Sequence, residues 1–269
     1  MEVAVLGLGE AGSLIAADLV AAGCTVRAWD PMRQPPGIPN AASDLDAVRG
    51  ADVILSLTTA AFALEAAASV AGELGSDAIY ADLNTAAPQL KRELAAALPV
   101  PFADVALIGV VPSFGLSIPA LASGAGAERF AELFRPLGMP VDVVGGQAGD
   151  AAGLKLLRSV FMKGVAAAAI EALEAAKAAG VEDRVRADIA GILGEPLLDR
   201  LLSGSRTHAA RRVDEMQAAA AYVTELGIEP RIATAAADWL AQLRVETGSD
   251  PTKTGSDPSS PGLTPGALL

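Results

Sequence analysis

Gly7-Leu8-Gly9-Glu10-Ala11-Gly12 spaces three glycines as G-x-G-x-x-G, directly after the apolar run Glu2–Leu6 and directly before an apolar helical stretch. The placement gives the spacing its chemical meaning, because a strand, a bare turn and a helix N-terminus together cradle a pyrophosphate. Gly7 permits the tight turn, Gly9 lets phosphate approach the backbone, and Gly12 lets the helix pack on the strand. Leu8, Glu10 and Ala11 complete the loop that would meet a dinucleotide. Asp30 closes the second apolar run, where an acidic side chain can bond the adenosine ribose 2′-hydroxyl of NAD. Arg33, three residues on, can instead hold the 2′-phosphate of NADP. The spacing predicts NAD, with NADP possible.

Two further apolar runs end in Leu57-Thr58-Thr59 and Asp82-Leu83-Asn84-Thr85. Ligands of open parallel sheets bind beyond the carboxyl ends of strands. Leu57, Thr58, Thr59 and Asn84 are therefore expected beside the nicotinamide ribose, with Thr85 toward the substrate. The same hydroxyl and amide groups are also routine helix N-caps, and the sequence leaves both uses open. Farther along, Lys155, Ser159 and Lys163 recur at every fourth position and make a polar stripe on an otherwise apolar helix. A desolvated lysine can carry the proton that accompanies hydride transfer; a charged stripe is equally what a solvated helix face looks like. His208, the only histidine, sits in Arg206-Thr207-His208-Ala209-Ala210-Arg211-Arg212. Either it titrates near neutrality beside arginines that bind an anionic substrate, or the group is a surface cluster at a helix start. No metal site is expected.

Positioning these groups falls to alternating short strands and helices. Strands are expected at 2–6, 25–29, 53–57, 78–82, 101–107 and 141–144, with helices beginning near Glu10, Ala60, Pro88 and Ala127. This alternation predicts an α/β fold, a Rossmann-type doubly wound parallel sheet. Residues 33–40 contain Pro35, Pro36, Gly37 and Pro39, which exclude helix and central strand because proline lacks the N–H. They are expected to loop over the cofactor edge. From Asp150 onward strand signals vanish: residues 150–179 form one unbroken helical run roughly 45 Å long. Helices follow at 181–192, 196–202, 208–226 and 230–244, with Gly180, Gly194, Gly204 and Gly227 as stops. The expected organisation is an NAD(P)-binding domain over 1–149, an all-α C-terminal domain for substrate and dimerisation over 150–247, and a disordered tail over 248–269. The tail's Gly, Ser, Thr, Asp and Pro offer too little apolar surface to order it.

The chain's 20 Lys and Arg against 32 Asp and Glu leave a net charge of −12, which repels a phosphate backbone and argues against nucleic acid as a partner. Hydrophobic residues make up 52% of the chain, yet Gly, Asp, Arg or Lys interrupts each apolar run before it reaches bilayer length, so no membrane span is expected. Met1 leads straight into an apolar strand without a basic leader, and the single Cys24 cannot form an internal disulfide. The cytoplasm is the expected compartment.

Over residues 1–245 the chain resembles the β-hydroxyacid dehydrogenases related to 6-phosphogluconate and 3-hydroxyisobutyrate dehydrogenases. The marks of the resemblance are Gly7 to Gly12, Asp82-Leu83-Asn84-Thr85, and Gly146-Gln147-Ala148-Gly149-Asp150-Ala151-Ala152-Gly153-Leu154-Lys155. It implies NAD(P)-dependent hydride transfer to or from a small hydroxyl or carbonyl compound, with Lys155 as general acid or base, in a homodimer. The stretches from Leu154 to Phe161 and from His208 to Arg212 are similar to a less characterised branch of the family. Two positions depart from the family pattern. Ile108, before Gly109, stands in place of a substrate-binding serine, and Ser159 stands in place of an asparagine one turn after the lysine. Thr85, Ile108, Gly109, Ser159 and His208 are the expected substrate contacts, and a simple hydroxycarboxylate substrate does not carry over. The competing readings are an imine reductase of similar architecture and a non-catalytic cofactor-binding sensor; retention of the lysine favours hydroxyl chemistry.

Overall fold

The computed structural model describes residues 1–207 and 209–247, so His208 and the expected tail lie outside the described residues. The chain divides into two compact units, the first ending at Ala152 and the second beginning at Gly153.

The first unit is built on one sheet. Its strands are β1 (Glu2–Leu6), β2 (Thr25–Trp29), β3 (Val53–Ser56), β4 (Ile79–Asp82), β5 (Phe102–Leu107), β6 (Ala120–Ser123) and β7 (Val141–Gly145), in spatial order β2-β1-β3-β4-β5-β6-β7. Neighbours are parallel except β5 and β6, which run antiparallel. The chain reverses its direction of travel across the sheet at β1, flanked by β2 and β3, which is the switch point where such sheets bind ligands. Six of these strands lie where the sequence places them. β6 is an addition: Ala-Leu-Ala-Ser has no β-branched or aromatic residue to announce a strand. Pairing against β5, from Asp104↔Ser123 to Leu107↔Ala120, is what makes it one.

Strand residues alternate between two cores. Val3, Val5, Leu55 and Val105 pack with Ile15, Leu19, Phe130 and Phe134, whereas Ala4, Leu6, Ile54, Tyr80 and Phe102 pack with Val70 and Leu94. A sheet covered on both faces has no polar side, which is why its strands read as continuous apolar runs. The covering helices are α1 (Glu10–Ala21), α2 (Asp44–Val48), α3 (Ala63–Val70), α4 (Pro88–Ala97), α5 (Val111–Phe114) and α6 (Ala127–Phe134). The short α2 lies outside the sequence expectation; Ser43 caps it, its Oγ accepting from Asp46 N at 3.1 Å. The proline-rich loop passes along the open edge of β2, where Ala28 N donates to Pro39 O at 2.9 Å and Ala41 N to Ala28 O at 2.8 Å. An edge is where a segment poor in donors can pair.

The second unit is helical. It takes up α7 (Asp150–Ala178) after that helix's first turn and adds α8 (Glu182–Leu193), α9 (Glu195–Thr207), α10 (Ala209–Glu225) and α11 (Arg231–Thr247). Leu156, Val213, Met216, Ala236 and Leu240 form one core, and Ile170, Leu173, Leu198, Leu202 and Leu243 another. Three of the four glycine stops end helices as expected. Gly204 does not, since α9 runs through it. The nearest atoms to its missing Cβ belong to the movable guanidinium end of Arg212. Among the described residues no helix is long and apolar enough to cross a membrane.

Candidate cofactor and active site

The glycine loop joins β1 to α1 beside the end of β3. Gly7 has φ +97°, and a Cβ on it would sit 2.5 Å from Leu57 O. A Cβ on Gly12 would sit 2.0 Å from Gly7 O, so both positions exclude a side chain on packing grounds. Gly9 differs: the nearest atom to its missing Cβ is Arg33 Nη1 at 3.8 Å. Gly9 is also the N-cap of α1 and offers no side-chain cap, which leaves the first N–H groups of the helix for an incoming acceptor. A cleft of about 510 Å³ opens there, lined by Leu8, Gly9, Glu10, Ser13, Arg33 and Pro35. The Leu8 side chain is buried, Ala11 is half-buried and Glu10 is exposed.

Asp30 is already engaged by the protein. Its Oδ2 accepts from Leu8 N at 2.7 Å, and its Oδ1 accepts from Met32 N at 2.8 Å and Arg33 N at 3.0 Å. The carboxylate thus ties the glycine loop to the turn after β2 and fixes the turn that carries Arg33, whose exposed side chain lines the cleft.

At the ends of β3 and β4 the structure brings together Thr58 and Asn84. Asn84 Nδ2 lies 3.1 Å from Ser56 Oγ and 3.3 Å from Thr58 Oγ1, and it donates to Asp82 Oδ1 as well. Leu57 is buried against this corner, while Thr59 and Thr85 are exposed. Ile108 and Gly109 follow β5 directly; Ile108 is half-buried and Gly109, at φ +148°, packs against Phe114.

Beneath this edge lies a network that the sequence reading missed. Lys91 on α4 is fully buried, its Nζ 2.7 Å from Asp82 Oδ2 and 3.1 Å from Asp104 Oδ1. Burial works to discharge this ammonium, but the two carboxylates outweigh it and hold its pKa above the ordinary lysine value. Asp104 Oδ2 also accepts from Gly149 N at 3.1 Å and Ala152 N at 2.9 Å, while Ser123 Oγ accepts from Ala151 N at 3.0 Å. The N-terminal turn of α7 is therefore capped by β5 and β6 rather than by a local residue. The signal was present: Asp82 and Asp104 interrupt apolar strands, and Lys91 shares its helix face with Leu94 and Leu98.

In the second unit the stripe on α7 is not a solvated face. Ser159 is 2% exposed and donates to Glu215 Oε1 on α10. Lys163 Nζ donates to the same oxygen at 2.9 Å and to Ser159 Oγ at 3.2 Å. Burial would raise the Glu215 carboxyl, yet the Lys163 charge, the Ser159 hydroxyl and the Lys155 charge hold it at about 2. Burial pushes Lys163 below the ordinary lysine value; Glu215 pulls it back up, and Arg212 and Arg158 add to the downward push. Lys155 itself is half-buried. Of the arginines near His208, Arg211 is exposed, whereas Arg212 turns inward and donates to Ser205 Oγ at 2.8 Å. Nothing in the sequence marks Glu215, since only tertiary packing sets it opposite Ser159. Among the described residues no three His, Cys, Asp or Glu side chains gather as a metal site.

Residues 176–243 match a domain family described only as of unknown function, DUF1932. A conserved hypothetical protein from Sinorhizobium meliloti is 30% identical, with 95% of this chain and 92% of that one covered and a TM-score of 0.73. A conserved protein of unknown function, whose structure is described as similar to 3-hydroxyacid dehydrogenases, is 28% identical over 93% of this chain and 100% of its own, with a TM-score of 0.74. The 3-hydroxyisobutyrate dehydrogenase of Mycobacterium tuberculosis shares the fold at 20% identity, with 91% and 94% coverage and a TM-score of 0.76. A bare glycine loop at the sheet's switch point and a helical second unit accompany these likenesses: the chain belongs to the same family as the S. meliloti protein and has the fold of the 3-hydroxyacid dehydrogenases.

Proposed function

We propose that this chain is an NAD(P)-dependent oxidoreductase that moves a hydride between the nicotinamide and a small hydroxyl or carbonyl compound, with Lys155 as general acid or base. The observation that carries the reading is the Gly7–Gly12 loop, closed so tightly on Leu57 and on itself that only glycine fits, yet open at Gly9 toward the cleft. Such a loop binds a pyrophosphate through backbone N–H groups. The Asp30 carboxylate holds the loop through three backbone N–H groups with an acceptor site to spare for a ribose hydroxyl, and Arg33 lining the cleft supplies a cation for a 2′-phosphate, which supports NAD with NADP as an alternative cofactor. The nicotinamide supplies or accepts the hydride, and the protein's part is to bind, orient and manage one proton. Lys155 takes or gives that proton, and Ser159, held by Glu215 and Lys163, fixes the polar face beside it. We also propose that the functional molecule is a homodimer, as the family resemblance implies.

Substrate panels of hydroxy acids, alcohols and their carbonyl forms, read by reduced-cofactor absorbance with both NAD and NADP, test the reaction. Lys155→Ala is expected to lower kcat by about a hundred- to ten-thousand-fold while cofactor affinity stays unchanged. Full turnover by that variant would remove Lys155 from the mechanism, and failure of the wild type to bind either dinucleotide would remove the proposal itself.

A further inference from the structure

Asn84 is 8% exposed, and its Nδ2 is surrounded by acceptors: Ser56 Oγ, Thr58 Oγ1 and Asp82 Oδ1. An ionised carboxylate only accepts hydrogen bonds. The amide nitrogen, and not its carbonyl oxygen, must therefore face Asp82. Asp82 has no freedom to turn aside, because Lys91 Nζ donates to its main-chain oxygen at 2.9 Å and to its Oδ2 at 2.7 Å. Lys91 is itself anchored by Asp104, and all three side chains are sealed from water, where breaking one ion pair leaves an uncompensated buried charge. That leaves Asn84 Oδ1, which accepts no hydrogen bond among the described residues and is not closed off from solvent. The strand order places it on the β3–β4 side of β1, across from the β2 side where Asp30 and Arg33 lie.

We propose that Asp82, locked by Lys91, is a positioning residue that fixes the Asn84 amide with Oδ1 as its presented atom, so that this strand end offers an acceptor to a hydroxyl or amide N–H on the nicotinamide half of the cofactor. The proposal rests on reading the Gly7–Gly12 loop as a nicotinamide dinucleotide site. Asp82→Asn is nearly isosteric but brings an amide N–H2 of its own, which lets Asn84 turn its carbonyl inward and present its nitrogen instead.

Calorimetric titration of wild type, Asp82→Asn, Asn84→Ala and the double variant tests this, using the tighter of NADH and NADPH and, in parallel, ADP. ADP carries the adenosine and diphosphate but neither the nicotinamide nor its ribose. Asp82→Asn is expected to weaken dinucleotide binding about tenfold, the equivalent of one hydrogen bond, while ADP affinity stays the same. The double variant should bind like Asn84→Ala alone, since one residue acts through the other. Asn84→Ala alone, read with the same two ligands, must show the same selective loss and keeps the test open should Asp82→Asn fold poorly. Wild-type dinucleotide affinity in these variants, additive losses in the double variant, or equal loss of ADP and dinucleotide would each overturn the proposal. A wild-type protein that binds neither NADH nor NADPH would instead overturn the functional reading beneath it.

Discussion

At the scale of single residues, the chemistry of both units rests on charges that are paired out of water. Glu215 is the one whose pairing can be read by titration. Its side chain is 12% exposed beside Lys163 at 16%, and its pKa stands near 2 against an ordinary 4.5. A folded value below the unfolded one means the pairing stabilises fully above about pH 4.5 and is lost as the pH falls through about 2. A displacement of that size corresponds to about 3 kcal/mol. Glu215→Gln is therefore expected to lower the unfolding free energy by about 3 kcal/mol at neutral pH, with the gap to wild type shrinking as acid is added. Urea unfolding across a pH series measures it; a gap that stayed constant into acid would assign Glu215 a packing role only. Asp30 gives the complementary lesson. Its type and place suggest a ribose contact, and the structure adds a second use that the sequence does not announce, the gathering of three backbone N–H groups.

At the scale of elements, the β1-loop-α1 unit separates two uses of glycine. Gly12 is bare because Gly7 O occupies the space of its Cβ, whereas Gly9 is bare with open space above it. Gly12→Ala is thus expected to destabilise the fold by about 1–3 kcal/mol through overpacking and to abolish dinucleotide binding with it. Gly9→Ala should leave thermal stability unchanged while weakening dinucleotide binding about tenfold or more, because the methyl group stands where the diphosphate approaches. Thermal melts together with titration distinguish the two, and equal melting losses in both variants would show that Gly9 also serves packing. The α7 helix shows how elements far apart in sequence depend on one another. Its first N–H groups find their acceptors on Asp104 and Ser123 of the sheet, so the sheet sets where the helix begins.

At the scale of the whole molecule, the proposed homodimer has a face available. Leu154, Leu157 and Phe161 lie on one side of α7 at 45%, 40% and 68% exposure, an apolar stripe that would be costly to leave in water. Sedimentation is expected to give a dimer at micromolar concentration and Phe161→Glu to shift it toward monomer; a monomeric wild type would refute this assembly. What the sequence by itself determined is everything with a short period. The glycine loop, six of the strands, the long helix and three of the four glycine stops were legible because backbone sterics and alternation of apolar residues are written within a few positions. What only the tertiary structure decided is which charges meet. Lys91 between Asp82 and Asp104, Glu215 against Ser159 and Lys163, and β6 as a strand at all follow from strand order and helix packing. Burial makes those pairings obligatory, and no local pattern can name a partner that only the finished fold brings within reach.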